Sequence, residues 1–188
     1  MLKNTDKNYG WVAIAMHWSM ALVIFGLFGL GLYMVELSYY DSWYRGSLSL
    51  HKSIGITLLL LWLARVVWRC INVMPKDTAN KDKRSRRERL EQTAAHWMHI
   101  ALYAVILGLL ITGYLISTAD GRGIEVFELF TVPALPWSID QQEDIAGDIH
   151  EILAWSLIFL VTVHALAALK HHFIDQDKTL MKILKPSA

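Results

Sequence analysis

Four long apolar runs dominate the chain, at about 11–35, 54–64, 100–119 and 149–169. Together with their flanks they approach the ~20 residues that a helix needs to cross a ~30 Å hydrocarbon layer. Backbone groups in lipid have no water to bond, so only helices or closed barrels can cross it. The runs show no period-two alternation, which excludes transmembrane strands. The pattern therefore predicts four transmembrane helices, over about 11–36, 46–71, 92–119 and 147–173.

Composition agrees with this pattern. Hydrophobic residues make up 54% of the 188 residues, and the mean hydropathy of +0.33 is high for a soluble domain of this length. The length suits one domain. We therefore predict an all-α protein, with a single transmembrane four-helix bundle over 1–188. The predicted surroundings are a lipid bilayer, and no nucleic-acid partner is expected.

The distribution of basic residues predicts the orientation in the membrane. An even number of spans places both termini on one side. Fifteen of the 18 lysines and arginines would then lie on that side, in the N-terminus, the 2–3 connection and the C-terminal tail. Only Arg45, Lys52 and Arg122 lie on the other. Because basic residues accumulate in cytoplasmic loops, we predict a multi-pass inner-membrane protein with both termini in the cytoplasm.

The connections between the helices differ in character. The 2–3 connection is polar and basic, which is typical of a solvated loop. The 3–4 connection is long, acidic and interrupted by aromatics, and its FELFTVPALPW stretch is expected to lie along the outer interface. The first apolar run is too long for a signal peptide and has no clear cleavage site, so we expect a retained helix.

Histidines close both ends of the last apolar run. His150 and His164 are fourteen residues apart, which returns to within about 40° of the same helix face after a rise of about 21 Å. Ionisable residues inside membrane helices are costly and usually mark a functional site. Neutral imidazole is a good iron ligand. The spacing predicts two ligand positions, one near each membrane surface.

Depth in the membrane predicts the partners of these two histidines. His17 begins the first helix on the cytoplasmic side, level with His164, and His51 begins the second helix on the outer side, level with His150. Each pair can hold one haem iron. The alternative for any one of these histidines is an interfacial side chain that snorkels to the headgroups. No C-x-x-C-H sequence occurs, so we expect two haem b groups bound without covalent attachment, and the lone Cys70 makes no internal disulfide.

The same arithmetic indicates further residues that contact haem. Gly31 lies fourteen residues after His17, at the level of the outer haem, where a glycine leaves room for a macrocycle. Arg65 lies fourteen residues after His51 and can pair with a propionate of the inner haem, as can Arg69 one turn on. Gly55 lies one turn from His51. Ordinary small-residue helix packing explains such glycines equally well.

Four more histidines lie near the cytoplasmic helix ends: His96, His99, His171 and His172. His171 comes two turns after His164 and faces roughly the same way. Together they are the candidate site for a quinone headgroup, which needs hydrogen bonds and protons. A metal site and plain interfacial histidines remain alternatives.

The order and spacing of several motifs carry a family resemblance over nearly the whole chain: AMHW, LHKSIG, WLARVVWR, AHWMH, DIHEILAW, LVTVHALAALKHHF and DKTLMKIL. They resemble the prokaryotic cytochrome b561 family. The resemblance implies a four-helix bundle with two b haems held by His17, His51, His150 and His164. It also implies ubiquinone as electron acceptor and, as in the superoxide-oxidising members, superoxide as the donor at the outer face.

Superoxide oxidation coupled to ubiquinone reduction is thus the expected function, and the chain is expected to be an oxidoreductase. Arg45 and Lys52, near His51, are the candidates for steering the anion, and Arg122 is a further one. The outer side carries ten acidic residues against these three basic ones, and that balance disfavours an anionic donor. A cytochrome b subunit that conducts electrons for a partner oxidoreductase is the first alternative, and a structural or transport protein without haem is the second.

Overall fold

The structure is a computed structural model and describes residues 1–6, 8–75, 85–177 and 179–185. These ranges contain five helices and one two-stranded sheet, in the order α1 (Trp11–Val35), α2 (Tyr44–Ile71), α3 (Arg86–Ser117), β1 (Ile124–Val126), β2 (Phe130–Val132), α4 (Gln142–Phe173) and α5 (Thr179–Leu184). The mostly helical fold class is confirmed. Helices α1 to α4 are each long and apolar enough to cross a membrane, so the four predicted spans are confirmed as helices.

Two of the long helices, α3 and α4, begin five or more residues earlier than the apolar pattern predicts. Helix α3 starts at Arg86 rather than near 92 because Ser85 and Glu88 form a capping box. The Glu88 N–H donates to Ser85 Oγ (3.2 Å), and the Ser85 N–H donates to Glu88 Oε2 (2.8 Å). Helix α4 starts at Gln142 rather than near 147, and Glu143 and Asp144 in its first turn interact favourably with the helix dipole.

The 3–4 connection contains an antiparallel hairpin that the sequence did not predict. Its strands pair Ile124 with Val132 and Val126 with Phe130. The buried hydroxyl of Ser53 fastens the hairpin to α2: it donates to the Glu125 carbonyl (3.3 Å) and accepts from the Phe127 N–H (3.1 Å). Part of the FELFTVPALPW stretch is therefore strand β2, and its position relative to the interface stays a prediction.

The chain divides into two compact units, and each contains a segment of all four long helices. Unit 1 comprises Met1–Trp18, Ala64–Val105 and Ser156–Ala188. Unit 2 comprises Ser19–Leu63 and Ile106–Trp155. The single domain over 1–188 stays a prediction. Several residues used to predict the orientation lie outside the described ranges: Lys7, Lys76, Lys81, Lys83, Arg84 and Lys178.

In unit 1 the N-terminal segment accepts hydrogen bonds from backbone N–H groups at the start of α1. The N–H of Trp11 donates to the Met1 carbonyl (3.1 Å). Gly10 permits this approach, because a Cβ there would lie 2.3 Å from the Leu2 carbonyl oxygen. The Trp18 indole N–H donates to the Ile183 carbonyl (3.0 Å), which attaches α5 to α1.

Apolar side chains cover much of the helix surface. Leu22 in unit 2 is 71% exposed, and Phe159 in unit 1 is 68% exposed. Exposed apolar surface on this scale is typical of helices whose surroundings are lipid rather than water.

Candidate functional site

His51 on α2 and His150 on α4 face each other in unit 2. Their ring centroids are 6.4 Å apart. An imidazole nitrogen ligates a transition metal at about 2 Å, so two rings on opposite sides of one ion have centroids roughly 6 Å apart. The observed separation is compatible with two imidazole ligands on one ion. We call His51, His150 and the residues around them, Gly31, Thr112 and Gly113, the His51 site.

Thr112 on α3 determines which nitrogen of His150 is available. Its Oγ lies 3.0 Å from His150 Nδ1 and 2.9 Å from the Gly108 carbonyl oxygen. When the single hydroxyl proton goes to the Gly108 carbonyl, the hydroxyl oxygen accepts a hydrogen bond from Nδ1–H of His150, which is the tautomer that ligation through Nε2 requires. Nε2 of His150 then carries the free lone pair. Metal-ligating histidines are commonly oriented by such a partner on the other ring nitrogen.

Two glycines lie against the rings of this site. A Cβ on Gly113 would lie 3.3 Å from His150 Cε1, tighter than ordinary contact, and one on Gly31 would lie 3.7 Å from His51 Cε1. The buried Nδ1 of His51 has no hydrogen-bond partner among the described residues. Gly31 thus lies beside His51, and its contact with a haem stays a prediction. Gly55 has open space around its Cβ position. The ring separation, the tautomer of His150 and the space around both rings all fit a haem iron between His51 and His150.

A second histidine group lies in unit 1. His17 interacts electrostatically with His99, His164 and Arg65, and the rings of His99 and His164 are 5.3 Å apart. We call His17, His99, His164, Arg65 and Tyr103 the His17 site. It includes His99, which the sequence placed with the quinone candidates and which the structure places against the ring of His164.

Arg65 holds His17 by its ring nitrogen. Arg65 Nη2 lies 3.2 Å from His17 Nδ1, and Arg65 Nε donates to the Tyr103 hydroxyl (2.9 Å). Because a guanidinium can only donate, Nδ1 of neutral His17 accepts, and its proton is on Nε2. Ligation through Nε2 then requires Arg65 to exchange His17 for another acceptor. The propionate predicted to pair with Arg65 is such an acceptor, so these residues fit a haem once Arg65 contacts the propionate instead of His17. The other propionate candidate, Arg69, lies over the Tyr103 ring, 5.6 Å from its centroid.

The remaining quinone candidates have separate surroundings. The exposed His96 packs its ring against the neighbouring Trp97, and His172 packs against Phe173. His171 Nδ1 lies 2.9 Å from Asp175 Oδ2 and 3.3 Å from Asp177 Oδ2. Among the four, only His171 has carboxylate partners in the described part of the chain.

The predicted steering residues of unit 2 make contacts of their own. Arg45 donates to the Tyr39 hydroxyl (2.7 Å) and lies over its ring. Arg122 pairs with Asp120, Nε to Oδ2 at 2.7 Å, and this guanidinium holds the pKa of the Asp120 carboxyl below its usual value. Lys52 is half-buried and also interacts electrostatically with Asp120. The ten acidic residues counted on the outer side are all exposed: Glu36, Asp41, Asp120, Glu125, Glu128, Asp140, Glu143, Asp144, Asp148 and Glu151.

Sequence reasoning missed Thr112, Gly113 and Tyr103. Their contacts with the histidines or with Arg65 join residues 37 or more positions apart in the chain, on different helices. The one available signal was a hydroxyl residue followed by glycine in the middle of an apolar run. That pattern alone is also typical of helix packing in membranes.

Comparison with known proteins gives a consistent result. The family model described as "Prokaryotic cytochrome b561" matches residues 8–186. Cytochrome b561 homolog 2 of Escherichia coli (strain K12) is 45% identical over 185 residues, covering 98% of this chain and 95% of that protein. Probable superoxide oxidase CybB of Yersinia pestis is 26% identical over 183 residues, covering 95% of this chain and 96% of that protein.

A third relative matches a shorter segment. Cytochrome b561 homolog 1 of Escherichia coli (strain K12) is 33% identical over 94 residues, about half of each chain. The family match and the 45% identical relative both extend over nearly all of this chain. With its four membrane-spanning helices and its histidine sites, the chain belongs to the prokaryotic cytochrome b561 family, as a multi-pass bacterial membrane cytochrome of the b type that transfers electrons.

Proposed function

We propose that the chain binds two haem b groups, one between His51 and His150 and one between His17 and His164, and that it passes electrons from superoxide to ubiquinone. The observation that carries the proposal is the His51 site, where two facing rings, an oriented Nε2 and two close glycines fit one haem iron. When bound, haem b supplies one-electron transfer. The chain's own residues hold the haem, tune it and control what approaches it.

In this proposal each histidine group has a defined task. Thr112 accepts a hydrogen bond from Nδ1–H of His150, which keeps the proton on Nδ1 and leaves Nε2 available as a ligand. Arg65 and Arg69 supply positive charge for the propionates at the His17 site, and His171 is the leading candidate for contact with the quinone headgroup. The excess of basic residues in the N-terminus, the 2–3 connection and the C-terminal tail supports a cytoplasmic location for both termini, and in this proposal the His51 site lies towards the periplasm.

The donor is assigned by similarity. The Yersinia pestis relative is named a probable superoxide oxidase and aligns over almost the whole chain. This similarity, at 26% identity, supports superoxide as the donor. It does not identify the residues that would steer superoxide. Steering by Arg45 and Lys52 is part of the proposal, since both lie close to His51 in sequence, at the start of α2.

A second candidate function has a specific observation in its favour. The ten exposed carboxylates counted above give the outer side an acidic field, and Arg122 and Arg45 are held by Asp120 and Tyr39. Such a surface attracts a basic protein and repels a small anion. The second candidate is therefore an electron conduit for a basic redox partner, with the same two haems.

Stopped-flow measurement separates the two candidates. Superoxide is mixed with the oxidised holoprotein, with and without ubiquinone, at several ionic strengths. If the chain is a superoxide oxidase, superoxide should rapidly reduce the haems of the isolated protein, and ubiquinone should then reoxidise them. Added salt slows the reaction if Arg45 and Lys52 dominate and speeds it if the acidic surface dominates, because steering acts over a Debye length of ~10 Å at 0.1 M.

The double variant Arg45→Gln, Lys52→Gln assigns the entry route. A lower bimolecular rate with unchanged quinone affinity supports steering by these two residues. An unchanged rate and salt slope exclude them as the route. If superoxide does not reduce the haems of the wild-type protein at all, the donor assignment is wrong and the conduit function is favoured.

A further inference from the structure

A chain of ionisable side chains lies at the end of α4 in unit 1. Lys170 Nζ donates to Asp175 Oδ2 (2.6 Å) and to Glu91 Oε1 on α3 (2.8 Å). The same Asp175 oxygen lies 2.9 Å from His171 Nδ1, and Arg87 Nε donates to Glu91 Oε1 (3.0 Å). These contacts link His171 to a second helix through alternating charges.

The helix end holds this arrangement in place. The backbone N–H of Asp175 donates to the Lys170 carbonyl, and that of Asp177 donates to the His171 carbonyl. Gln176 between them adopts a positive φ of 54°, as is common where a helix terminates. The reversal of the chain brings both carboxylates back against His171. The side chains of His171 and Asp175 are only 26% and 28% exposed, so water screens their contact only partly.

The two carboxylates determine which His171 nitrogen exchanges protons. Both can only accept when ionised, so the proton between them and the ring is on Nδ1. Nε2 is then the nitrogen that gains and loses a proton. A carboxylate that fixes the tautomer of a histidine in this way is the usual arrangement for a general acid or base.

We propose that His171 is the proton donor to the quinone and that Asp175, held by Lys170 and Glu91, is its positioning residue. This inference rests on the proposed ubiquinone reduction. Reducing a quinone to a quinol takes two electrons, which the proposed electron transfer supplies one at a time, and two protons. The protonated ring releases the Nε2 proton to a quinone oxygen, where an O–H bond forms as the N–H bond breaks. Water on the aqueous side then returns a proton to Nε2, once for each of the two protons.

The position of His171 agrees with this role. It follows His164 by two turns of one continuous helix, about 10.5 Å along the axis and on roughly the same face. It thus lies between a proposed haem ligand and the aqueous end of α4. The charged groups that face it are Asp175 and Asp177 at its own helix end, with Lys170 and Glu91 behind them and Arg87 beyond Glu91.

The kinetic test follows haem reoxidation by a water-soluble short-chain ubiquinone, using holoprotein reduced by dithionite, across pH. We expect His171→Gln to slow reoxidation roughly 100-fold, as for loss of a general acid, and to flatten the pH profile. Asp175→Asn and Glu91→Gln should slow haem reoxidation less than His171→Gln does. For Asp175→Asn we expect a rate about 10-fold below that of the wild type, as for loss of an orienting partner. Glu88→Gln is the matched control for Glu91→Gln. It removes an equal charge from α3, and the hydrogen bonds of Glu88 are to Ser85 rather than to these side chains.

A spectroscopic readout tests the tautomer in the wild-type protein itself. Nitrogen NMR of histidine-labelled holoprotein, with His171→Gln used to assign the signal, should show Nδ1 protonated at every pH and only Nε2 changing. A bare Nδ1 would overturn the inference, whatever the variants do. If wild-type haem is not reoxidised by the quinone, the proposed acceptor is wrong and the inference falls with it. If the wild type is reoxidised and both His171→Gln and Asp175→Asn match it, only the inference is overturned.

Discussion

The His51 site and the His17 site contain the same kind of ligand but differ in what holds the ring nitrogens. At the His51 site the partner of His150 Nδ1 is a neutral hydroxyl, that of Thr112, which can accept from Nδ1–H and leave Nε2 free. At the His17 site the cationic Arg65 donates to Nδ1 of His17 and leaves the proton on Nε2. Histidine position along a helix decides which rings meet. The partner of the second nitrogen decides whether the ring is ready to bind iron.

In the proposed function, this difference decides how each site would take up haem. The His51 site needs no change of hydrogen bonds, because its rings already stand 6.4 Å apart with one Nε2 available. The His17 site must first move Arg65 from His17 to a haem propionate. It also contains a third imidazole, His99, against His164. We therefore expect haem binding at the His51 site to be sensitive to substitution of His51 or His150. Haem binding at the His17 site should respond most to substitutions that change its charge.

The largest expected effect is loss of one haem on removal of a ligand. His51→Ala and His150→Ala should each abolish the same haem, and His17→Ala and His164→Ala the other, because each iron needs both of its ligands. Haem content and the low-temperature absorption bands measure this. His96→Ala is the control and should keep both haems, because its exposed ring packs against Trp97 rather than against a proposed ligand. Identical spectra for His17→Ala and His150→Ala would show that the pairing is wrong.

Removing the hydroxyl that orients His150 should have the next largest effect. Thr112→Val leaves the His150 Nδ1 proton without its acceptor and frees the ring to turn, so we expect haem affinity at the His51 site to fall at least about 10-fold. Competition with apomyoglobin measures the affinity. Thr162→Val is the matched control, since that hydroxyl bonds the Ile158 carbonyl of its own helix. Equal haem loss in both variants would contradict a specific role for Thr112.

Charge removal should distinguish the two sites by potential. Arg65→Leu takes a positive charge away from the His17 site and so favours the oxidised haem there. We expect the potential of that haem to fall by about 60 mV, a tenfold change in the one-electron equilibrium. Redox titration resolves both haems, and the haem at the His51 site serves as the internal control. An unchanged potential at the His17 site would show that Arg65 does not face a propionate.

The smallest expected effect comes from a single methyl group. Gly113→Ala places a Cβ 3.3 Å from His150 Cε1, so the ring must shift by a few tenths of an ångström. We expect an overpacking cost of about 1 kcal/mol, seen as weaker haem retention at the His51 site alone. Gly26→Ala, with open space at its Cβ position, should retain haem like the wild type. Greater haem loss in Gly26→Ala than in Gly113→Ala would contradict the close approach.

The sequence predicted the four long helices because a span of apolar residues is itself the physical requirement for crossing lipid. It missed the first turns of α3 and α4, since these are polar and depend on caps such as Ser85 with Glu88. It missed the hairpin too, whose three-residue strands are held by Ser53, more than 70 residues away. The positions of His51 and His150 along their helices predicted that both lie at one depth. The contact between Thr112 and His150 depends on how neighbouring helices are rotated about their axes. No single-helix pattern contains that information.

The number of haems bound by each polypeptide decides whether both histidine groups hold iron. If each histidine group binds one haem, the chain holds two non-covalent b haems, and the absence of a C-x-x-C-H sequence predicts that both can be extracted with acidic acetone. A pyridine haemochrome assay combined with quantitative amino-acid analysis of the purified holoprotein gives the ratio. We predict two haems per polypeptide, and a ratio of one or none would contradict the assignment of both sites.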